Sequence, residues 1–391
     1  MHKMHKKLVA IAVAGAFGSP VIAHAQASTV QVYGRVYYEY SYFDQGRGAG
    51  GERVNVDLMQ TPGSNIGFKG EEKLGGGVAA WFQCESTADW RGVSQKGFCS
   101  RNSGIGLKGS FGTVWMGKWD TPFKRAVSLT MYGGIPLSTG TFGPAFLLTG
   151  GSTSTLDDSA RATFRRRQAN TVNYNSPVIG GFQFLASVSS ANGATARTTT
   201  EAGAKPRLLS VAGTYKNGPL AVAAAYDLHK DFARTATFAG DDTGWLLGAS
   251  YIVGTVKVSG LYTEQKFELS PTTNSKFKGW SLGATWRFSG PHGLKTQYTR
   301  AGDMTGNGAA GIVGSGAFRP VAGPNTGAKL WSVHYSYLAS KRTEFLVGYA
   351  NLRNDANAQY ALGGTFGTTA ATLPAKGNKE SAWGLVVSHR F

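Results

Sequence analysis

Apolar and polar positions alternate along the chain after its N-terminal segment, in stretches of about 8 to 14 residues. In WSLGATWRF, Trp280, Leu282 and Trp286 share one face, and Ser281 and Arg287 share the other. The stretches GWLLGASYIV, LWSVHYSYLA and SAWGLVVSHRF repeat this alternation. A period of two is the side-chain period of a β-strand. The pattern therefore predicts an all-β fold whose strands are apolar on one face only.

The two faces of these strands differ in a way that indicates a membrane barrel. The polar face carries Gly, Ser, Thr and single charges, and the apolar face has aromatic residues near its ends. Aromatic girdles on an apolar face are typical of strands that face lipid around a wet lumen. Because backbone groups in lipid must all be hydrogen bonded, such a sheet has to close on itself.

The connections between strands alternate between short and long. Short turns fall at LGGG, GSFG, SPVIGG, KNGP, VGT, SGPHG and near Ala339–Lys341. Longer polar connections fall at 44–63, 86–98, 120–164, 190–205, 230–242, 268–276, 302–326 and 354–378. This arrangement predicts about 16 antiparallel transmembrane strands, with short periplasmic turns and long outer loops, around an aqueous channel.

The third long connection, within Lys118 to Arg167, is the least regular part of the chain. Loops beyond about 15 residues without their own secondary structure are usually functional or disordered. This one contains Phe142, Phe146, Leu147 and neighbouring apolar residues, and ends in three consecutive arginines. It is therefore expected to fold against the interior of the protein, although a long surface loop with a solvated charge run is the alternative.

The first 25 residues are predicted to be a signal peptide. Lys3, Lys6 and Lys7 precede the apolar stretch LVAIAVAGAF, and Ala23-His24-Ala25 gives a small-x-small cleavage pattern. The apolar stretch is too short to span a bilayer as a helix. The predicted mature domain is residues 26–391.

Charge and motifs narrow the function further. The net charge is +18, but the Lys and Arg residues are scattered along alternating segments rather than grouped on a helix, so no nucleic-acid partner is expected. A water-filled path that favours anions suits this charge better. Gly104–Gly109 matches G-x-G-x-x-G but lies within a strand, and no nucleophile–base pair or metal-ligand spacing stands out. Neither an enzyme nor a cofactor or metal is expected.

Cys84 and Cys99 are the two cysteines of the chain. They flank a Gly-containing loop between two predicted strands, and an exported protein lies in an oxidising compartment. They are predicted to form a disulfide that ties the second long loop. Two free buried thiols are the alternative.

Several stretches resemble the general diffusion porins of Gram-negative bacteria, of the β-proteobacterial type. They are TVQVYGRVYYEY, SNIGFKGEEKLGGGVAAWFQCES, SRNSGIGLKGSFGTVWMGKWDTP, NTVNYNSPVIGGFQF and the terminal SHRF. The resemblance implies a homotrimer of 16-stranded barrels with the third loop folded inward as a constriction. It also implies contact with outer-membrane lipid and lipopolysaccharide, delivery by the barrel-assembly machinery, and a role for Phe391 as assembly signal.

The resemblance and strand parity together name the pore residues. Anion-selective porins carry arginines at positions that match Asn65, the neighbourhood of Arg101 and Asn102, and Arg167. Parity directs Asn102 into the lumen and Arg101 away from it. In the same way, Arg165 and Arg167 are expected to face the lumen and Arg166 to point away. The predicted constriction residues are Arg35, Asn65, Lys69, Asn102, Lys118, Asp120, Asp157, Asp158, Arg165 and Arg167.

The predicted function is passive diffusion of small hydrophilic solutes and ions, with weak anion selectivity. Basic wall residues would face Asp120, Asp157 and Asp158 across the pore, unless these aspartates cap turns or pair with Arg161. A channel specific for a small amide or organic acid would share the fold. A surface antigen or adhesin with a blocked lumen is a further alternative.

Overall fold

The computed structural model of the protein describes residues 30–47, 51–92, 97–130, 144–150, 161–190, 205–234, 237–314, 317–362 and 375–391. Asp157 and Asp158 lie outside these residues, as does the predicted signal peptide. No helix within these ranges is long and apolar enough to cross a membrane.

The described chain is mostly strand. The strands are β1 Gln31–Arg47, β2 Arg53–Gln60, β3 Asn65–Gly75, β4 Val78–Thr87, β5 Ser103–Gly109, β6 Gly112–Asp120, β7 Arg167–Asn175, β8 Phe182–Ser189, β9 Arg207–Asn217, β10 Leu220–Arg234, β11 Ala239–Val253, β12 Val256–Glu268, β13 Asn274–Ser289, β14 His292–Ala301, β15 Thr305–Gly306, β16 Ile312–Gly314, β17 Ala317–Arg319, β18 Ala328–Leu338, β19 Thr343–Asn354 and β20 Lys379–Arg390. The helices are α1 Pro122–Thr130 and α2 Pro144–Thr149.

The strands form one closed antiparallel barrel. Each wall strand pairs with the next, and β20 pairs with both β19 and β1, which closes the sheet. Strands β2 and β3 both pair with β1, so they are one wall strand interrupted at residues 61–64. Strands β15 to β17 belong to the connection between β14 and β18. The wall therefore has 16 strands, which confirms the predicted fold.

The apolar face that alternation predicted is the outward face of the wall. Trp280, Leu282 and Trp286 of β13 are exposed, as are Trp383 and Leu385 of β20. Inward neighbours such as Ser281 of β13 and Ser388 of β20 are buried inside the barrel. A lipid-facing exterior with a polar interior follows from this one alternation.

The described parts of the third loop, residues 121–130, 144–150 and 161–166, fold into the barrel. Phe123, Ala126 and Val127 of α1 are buried in one cluster with inward wall residues of β8 to β12. Glycines on the wall leave the space for it. A Cβ atom at Gly248 would lie 2.2 Å from Thr130 Oγ1, and one at Gly279 would lie 2.4 Å from Leu148 Cδ2. The inward loop is confirmed, and the surface-loop alternative is wrong.

Two of the predicted loops are shorter than expected. The connection predicted at 44–63 is largely strand, because β1 continues to Arg47 and β2 begins at Arg53. Likewise β10 reaches Arg234 and β11 begins at Ala239, within the predicted loop 230–242. These strand ends lack an apolar outward face, but their backbone pairing continues, and Arg53 forms a salt bridge across the pair to Asp44.

Candidate functional site: the lumen and its constriction

The wall strands β1 and β3 place two cations, Arg35 and Lys69, on the inner face. Arg35 donates from Nε to Ser388 Oγ at 3.0 Å, and its Cζ lies 4.6 Å from the centre of the Tyr37 ring. Lys69 Nζ lies 5.3 Å from the centre of the Tyr33 ring. Asn65 is the register partner of Arg35. No carboxylate in the described residues lies within 4.0 Å of Arg35 or Lys69.

Asp120 sits at the end of β6 between two cations. Its carboxylate forms salt bridges with Lys124 Nζ at 2.8 Å and with Arg167 Nε at 3.0 Å. Asn102 donates from Nδ2 to Asp120 at 3.1 Å, and its Oδ1 accepts from Arg167 Nε at 2.7 Å. These contacts bring Asn102, Asp120 and Arg167 together in one cluster, as expected for residues of a single constriction. The cluster carries a net positive charge, so Asp120 does not provide the free negative side of a transverse field.

Two further arginines face the same space. Arg125 of α1 donates from Nη1 to Asn175 Oδ1 at 2.7 Å, and Arg165 lies just before β7. Neither has a carboxylate of the described chain within 4.0 Å. Arg125 was not predicted from the sequence. Its position three residues after Pro122, at the start of the third loop, was the signal that could have identified it. Lys118 lies opposite Ser103, next to a bulge in β6.

Arg166 contradicts the parity argument. Its side chain is 0% exposed and lies inside the barrel, with Cζ 5.1 Å from the centre of the Phe232 ring of β10. The neighbouring Phe164 stacks on His229 of the same strand at 4.3 Å. Strand parity does not apply here, because β7 begins only at Arg167. Arg166 anchors the returning arm of the third loop instead of pointing outward.

Arg101 was also assigned wrongly. It forms a salt bridge with Glu85, an inward residue of β4 that also accepts from the Tyr33 hydroxyl at 3.2 Å. Arg101 lies in the segment before β5, so the alternation of that strand does not set its direction. Arg101 and Asn102 therefore both reach the lumen.

The second loop is tied as predicted. Cys84 and Cys99 are bonded to each other, with their Cα atoms 4.8 Å apart. Cys84 alternates with the inward residues Gln83 and Glu85, so this bond lies away from the lumen.

Three tryptophans form a cluster on the inner wall that sequence reasoning did not identify. Trp81, Gly106 and Trp115 lie in one row across β4, β5 and β6. Because Gly106 has no side chain, the two indoles meet above it, with ring centres 5.8 Å apart. Trp119 joins them at 5.7 and 5.3 Å. Trp115 is 3% exposed, whereas Trp81 and Trp119 are half-buried.

A family model described as Gram-negative porin matches residues 9–357. The chain belongs to the Gram-negative porin family. Porins are channels of the outer membrane, so this chain is an outer-membrane channel protein for passive diffusion, not an enzyme.

This porin is similar in sequence to two curated relatives and in fold to two solved structures. Outer membrane porin protein 32 of Delftia acidovorans is 31% identical over 299 residues, which cover 75% of this chain and 79% of that protein. Major outer membrane protein P.IB of Neisseria gonorrhoeae is 34% identical over 125 residues, 31% of this chain and 34% of that protein. Among structures, the anion-selective porin from Comamonas acidovorans has a TM-score of 0.72 at 23% identity, covering 93% of this chain and 100% of that one. The trimer form of OmpT of Vibrio cholerae has a TM-score of 0.63 at 15% identity, covering 94% and 100%.

Proposed function

We propose that this porin is a weakly anion-selective diffusion channel for small hydrophilic solutes and ions. The observation that carries the proposal is an imbalance of charge on the inner wall. Arg35, Lys69, Arg125 and Arg165 have no carboxylate of the described chain within 4.0 Å. Several lumen carboxylates of the described chain, by contrast, are paired with cations, while Glu39, Asp227 and Glu380 are buried in the inner wall. Glu71 pairs with Lys108, Glu85 with Arg101, Asp120 with Lys124 and Arg167, and Glu344 with Lys295.

This imbalance acts on permeating ions because the pore is narrow. Fixed charges beside low-dielectric walls are screened less than surface charges, and they raise the local concentration of counter-ions. The preference should be weak, because Asn65 and Asn102 stand where arginines are expected from the family resemblance. The solved porin from Comamonas acidovorans is described as anion-selective, which supports a preference for anions in this channel as well.

The reversal potential of single channels in a potassium chloride gradient tests the proposal. The expected sign is that of a chloride preference, and it should weaken as salt rises and screening increases. A reversal potential of the cationic sign would reject anion selectivity but leave the diffusion channel itself in place.

The tryptophan cluster favours a second candidate, a channel with a preferred organic acid that bears a ring. Planar rings stack on exposed indole faces, and such contacts contribute about 0.5–1.5 kcal/mol beyond area burial. Asn173 is the register partner of Trp115, and Asn175, which binds Arg125, lies two residues further along β7, so a cation is close to the rings. A ring with a carboxylate would satisfy both features.

Current block by benzoate, compared with acetate, separates the two functions. In the solute-specific channel benzoate block saturates and weakens in Trp119→Ala, whereas Trp286→Ala, a change on the lipid face, leaves it unchanged. Equal effects of benzoate and acetate in the unmodified protein would favour the general channel.

We further propose that the chain is exported with loss of its signal peptide and then assembles as a trimer. Residues 1–25 would be removed, and the barrels would form a homotrimer in contact with outer-membrane lipid and lipopolysaccharide after insertion by the barrel-assembly machinery. The trimer form described for OmpT supports the assembly state. N-terminal sequencing should find Gln26 first, and native mass spectrometry of the detergent-purified protein should find three chains. A mature protein that retains Lys3, or one that stays monomeric, would refute the respective part.

A further inference from the structure

The described parts of two outer loops enter the mouth of the barrel and pack against α2 of loop 3. Met304 and Ile312 of loop 7 (residues 302–327) and Tyr360 of loop 8 (residues 355–378) are buried. They belong to one apolar cluster with Leu147 and Leu148 of α2. Helix α2 of the third loop is therefore packed between the wall and the described parts of two outer loops.

Arg319 makes the specific contact within this cluster. It is 1% exposed, and it donates from Nη1 to the carbonyl of Leu147 at 2.9 Å and from Nη2 to the carbonyl of Leu148 at 2.7 Å. Its Cζ lies 3.8 Å from the centre of the Phe277 ring on β13. Nη2 also reaches Gln265 Oε1 at 3.3 Å, and the same amide donates from Nε2 to the carbonyl of Leu148 at 2.7 Å.

These contacts match what the end of a helix needs. The last carbonyls of a helix have no partner within it, and the planar guanidinium offers two donors in a fixed fork. Leu147 and Leu148 lie in the last turn of α2, which ends at Thr149. Burying an arginine costs free energy unless its donors are hydrogen bonded. Both terminal nitrogens of Arg319 are bonded, and only Nε has no partner in the described chain.

We propose that loop 7 is a clamp that fixes the inner end of loop 3 through Arg319, so that an outer loop sets how steadily the constriction stays open. The clamp is independent of which solute passes. Without it, α2 keeps its contact with Gln265 but loses the fork of hydrogen bonds from above. Loop 3 then moves between positions, and the pore closes more often.

Single-channel recording of Arg319→Ala tests the clamp. Closures at a given voltage should become about tenfold more frequent or more, because a hydrogen bond to a charged group is worth at least a factor of ten in an equilibrium. The matched control is Arg353→Ala, since Arg353 is an exposed arginine at the outer end of β19 whose side chain, among the described residues, bonds to Asn351 alone. That variant should close as rarely as the unmodified channel.

A rescue experiment distinguishes a clamp from a general loss of structure. Millimolar guanidinium chloride should reduce the closures of Arg319→Ala, because the free ion can occupy the vacated site, whereas tetramethylammonium chloride should not. If Arg319→Ala fails to assemble, Arg319→Lys replaces it. Its single ammonium cannot form the fork, so closures should again exceed those of the control. Closures at the control frequency in the assembled variant would overturn the proposal, as would an absence of guanidinium rescue. Anion preference is read from the reversal potential instead, so either proposal can fail alone.

Discussion

At the scale of single residues, the sign of the charge that faces the pore decides ion preference. Arg165 has no carboxylate of the described chain within 4.0 Å, and Arg167 shares Asp120 with Lys124. Removing both arginines leaves Lys124 to neutralise Asp120, so the cluster loses its excess positive charge. We expect Arg165→Ala/Arg167→Ala to move the reversal potential toward the cationic side. Asp120→Asn should move it the other way, because it frees Lys124 and Arg167.

Recordings in one salt gradient check both directions, with Arg353→Ala as a control outside the constriction. If the double variant and Asp120→Asn shift the potential in the same direction, or neither shifts it, these charges are structural and do not set selectivity.

Arg166 is expected to matter for stability rather than selectivity. Its guanidinium is buried over Phe232, and a desolvated contact of a cation with an aromatic ring contributes about 2 kcal/mol. Arg166→Ala should lower the unfolding free energy by roughly that amount and loosen the returning arm of loop 3. Thermal unfolding in detergent measures it, with Arg165→Ala as the neighbouring control. Equal melting temperatures for the two variants would show that the buried position contributes nothing.

At the scale of elements, the disulfide holds loop 2 to the wall. It closes a loop with a sequence separation of 15 residues. Constraining such a loop in the unfolded chain contributes about 3 kcal/mol in the chain-entropy account. Cys84→Ser/Cys99→Ser should therefore unfold at a lower denaturant concentration, with single-channel conductance unchanged because the bond lies away from the lumen.

Reduction of the unmodified protein with dithiothreitol is the control and should give the same shift. Mass spectrometry of the unreduced protein must find no free thiol. Two free thiols in folded protein, or a conductance change as large as the stability change, would contradict the prediction.

The strands also show which side-chain directions can be predicted from the sequence. Alternation predicted the outward faces of β11, β13, β18 and β20 correctly, because the pleat of these strands is regular over most of their length. It failed wherever the backbone leaves the regular pleat. Arg166 and Arg101 lie just before strands, so parity counted back from those strands has no meaning for them. The bulge between Gly117 and Trp119 hid Trp119 in the same way.

The tryptophan row marks a different limit. Trp81, Gly106 and Trp115 could have been aligned from the turns that fix the register of β4, β5 and β6, since short turns determine strand pairing. The loop-to-loop contacts could not. Arg319 meets Leu147 across a sequence separation of 172 residues, and no periodicity relates two irregular segments.

At the scale of the whole molecule, the barrel depends on one closing seam between its two ends. Strand β20 pairs with β1 from Arg35 to Asp44, and the terminal residue extends the seam by one step. Phe391 donates its N–H to the carbonyl of Gly34 at 3.1 Å, and Gly34 donates back at 3.2 Å. The Phe391 ring lies on the outer face against Gly34, where a Cβ atom would come within 2.4 Å of the ring.

This geometry separates two roles that Phe391 is expected to have. As an assembly signal, it acts in the unfolded chain, where only its own side chain matters. As part of the seam, it needs the bare surface of Gly34. Phe391→Ala should therefore reduce the amount of heat-resistant protein in the outer membrane. Gly34→Ala keeps the terminal sequence but displaces the ring, and it also crowds the carbonyl of Asn65, which would lie 2.7 Å from the new Cβ. It should assemble in normal yield and melt at a lower temperature.

Gly213→Ala is the matched control, because a Cβ atom at this β9 glycine meets nothing within 4 Å. Its yield and melting temperature should equal those of the unmodified protein. The measurements are the outer-membrane yield and the temperature at which the band on a gel shifts from folded to unfolded. A normal yield and heat resistance for Phe391→Ala would remove the assembly role. A Gly34→Ala protein as stable as Gly213→Ala would show that the barrel closes through the backbone pairing of β1 and β20 alone.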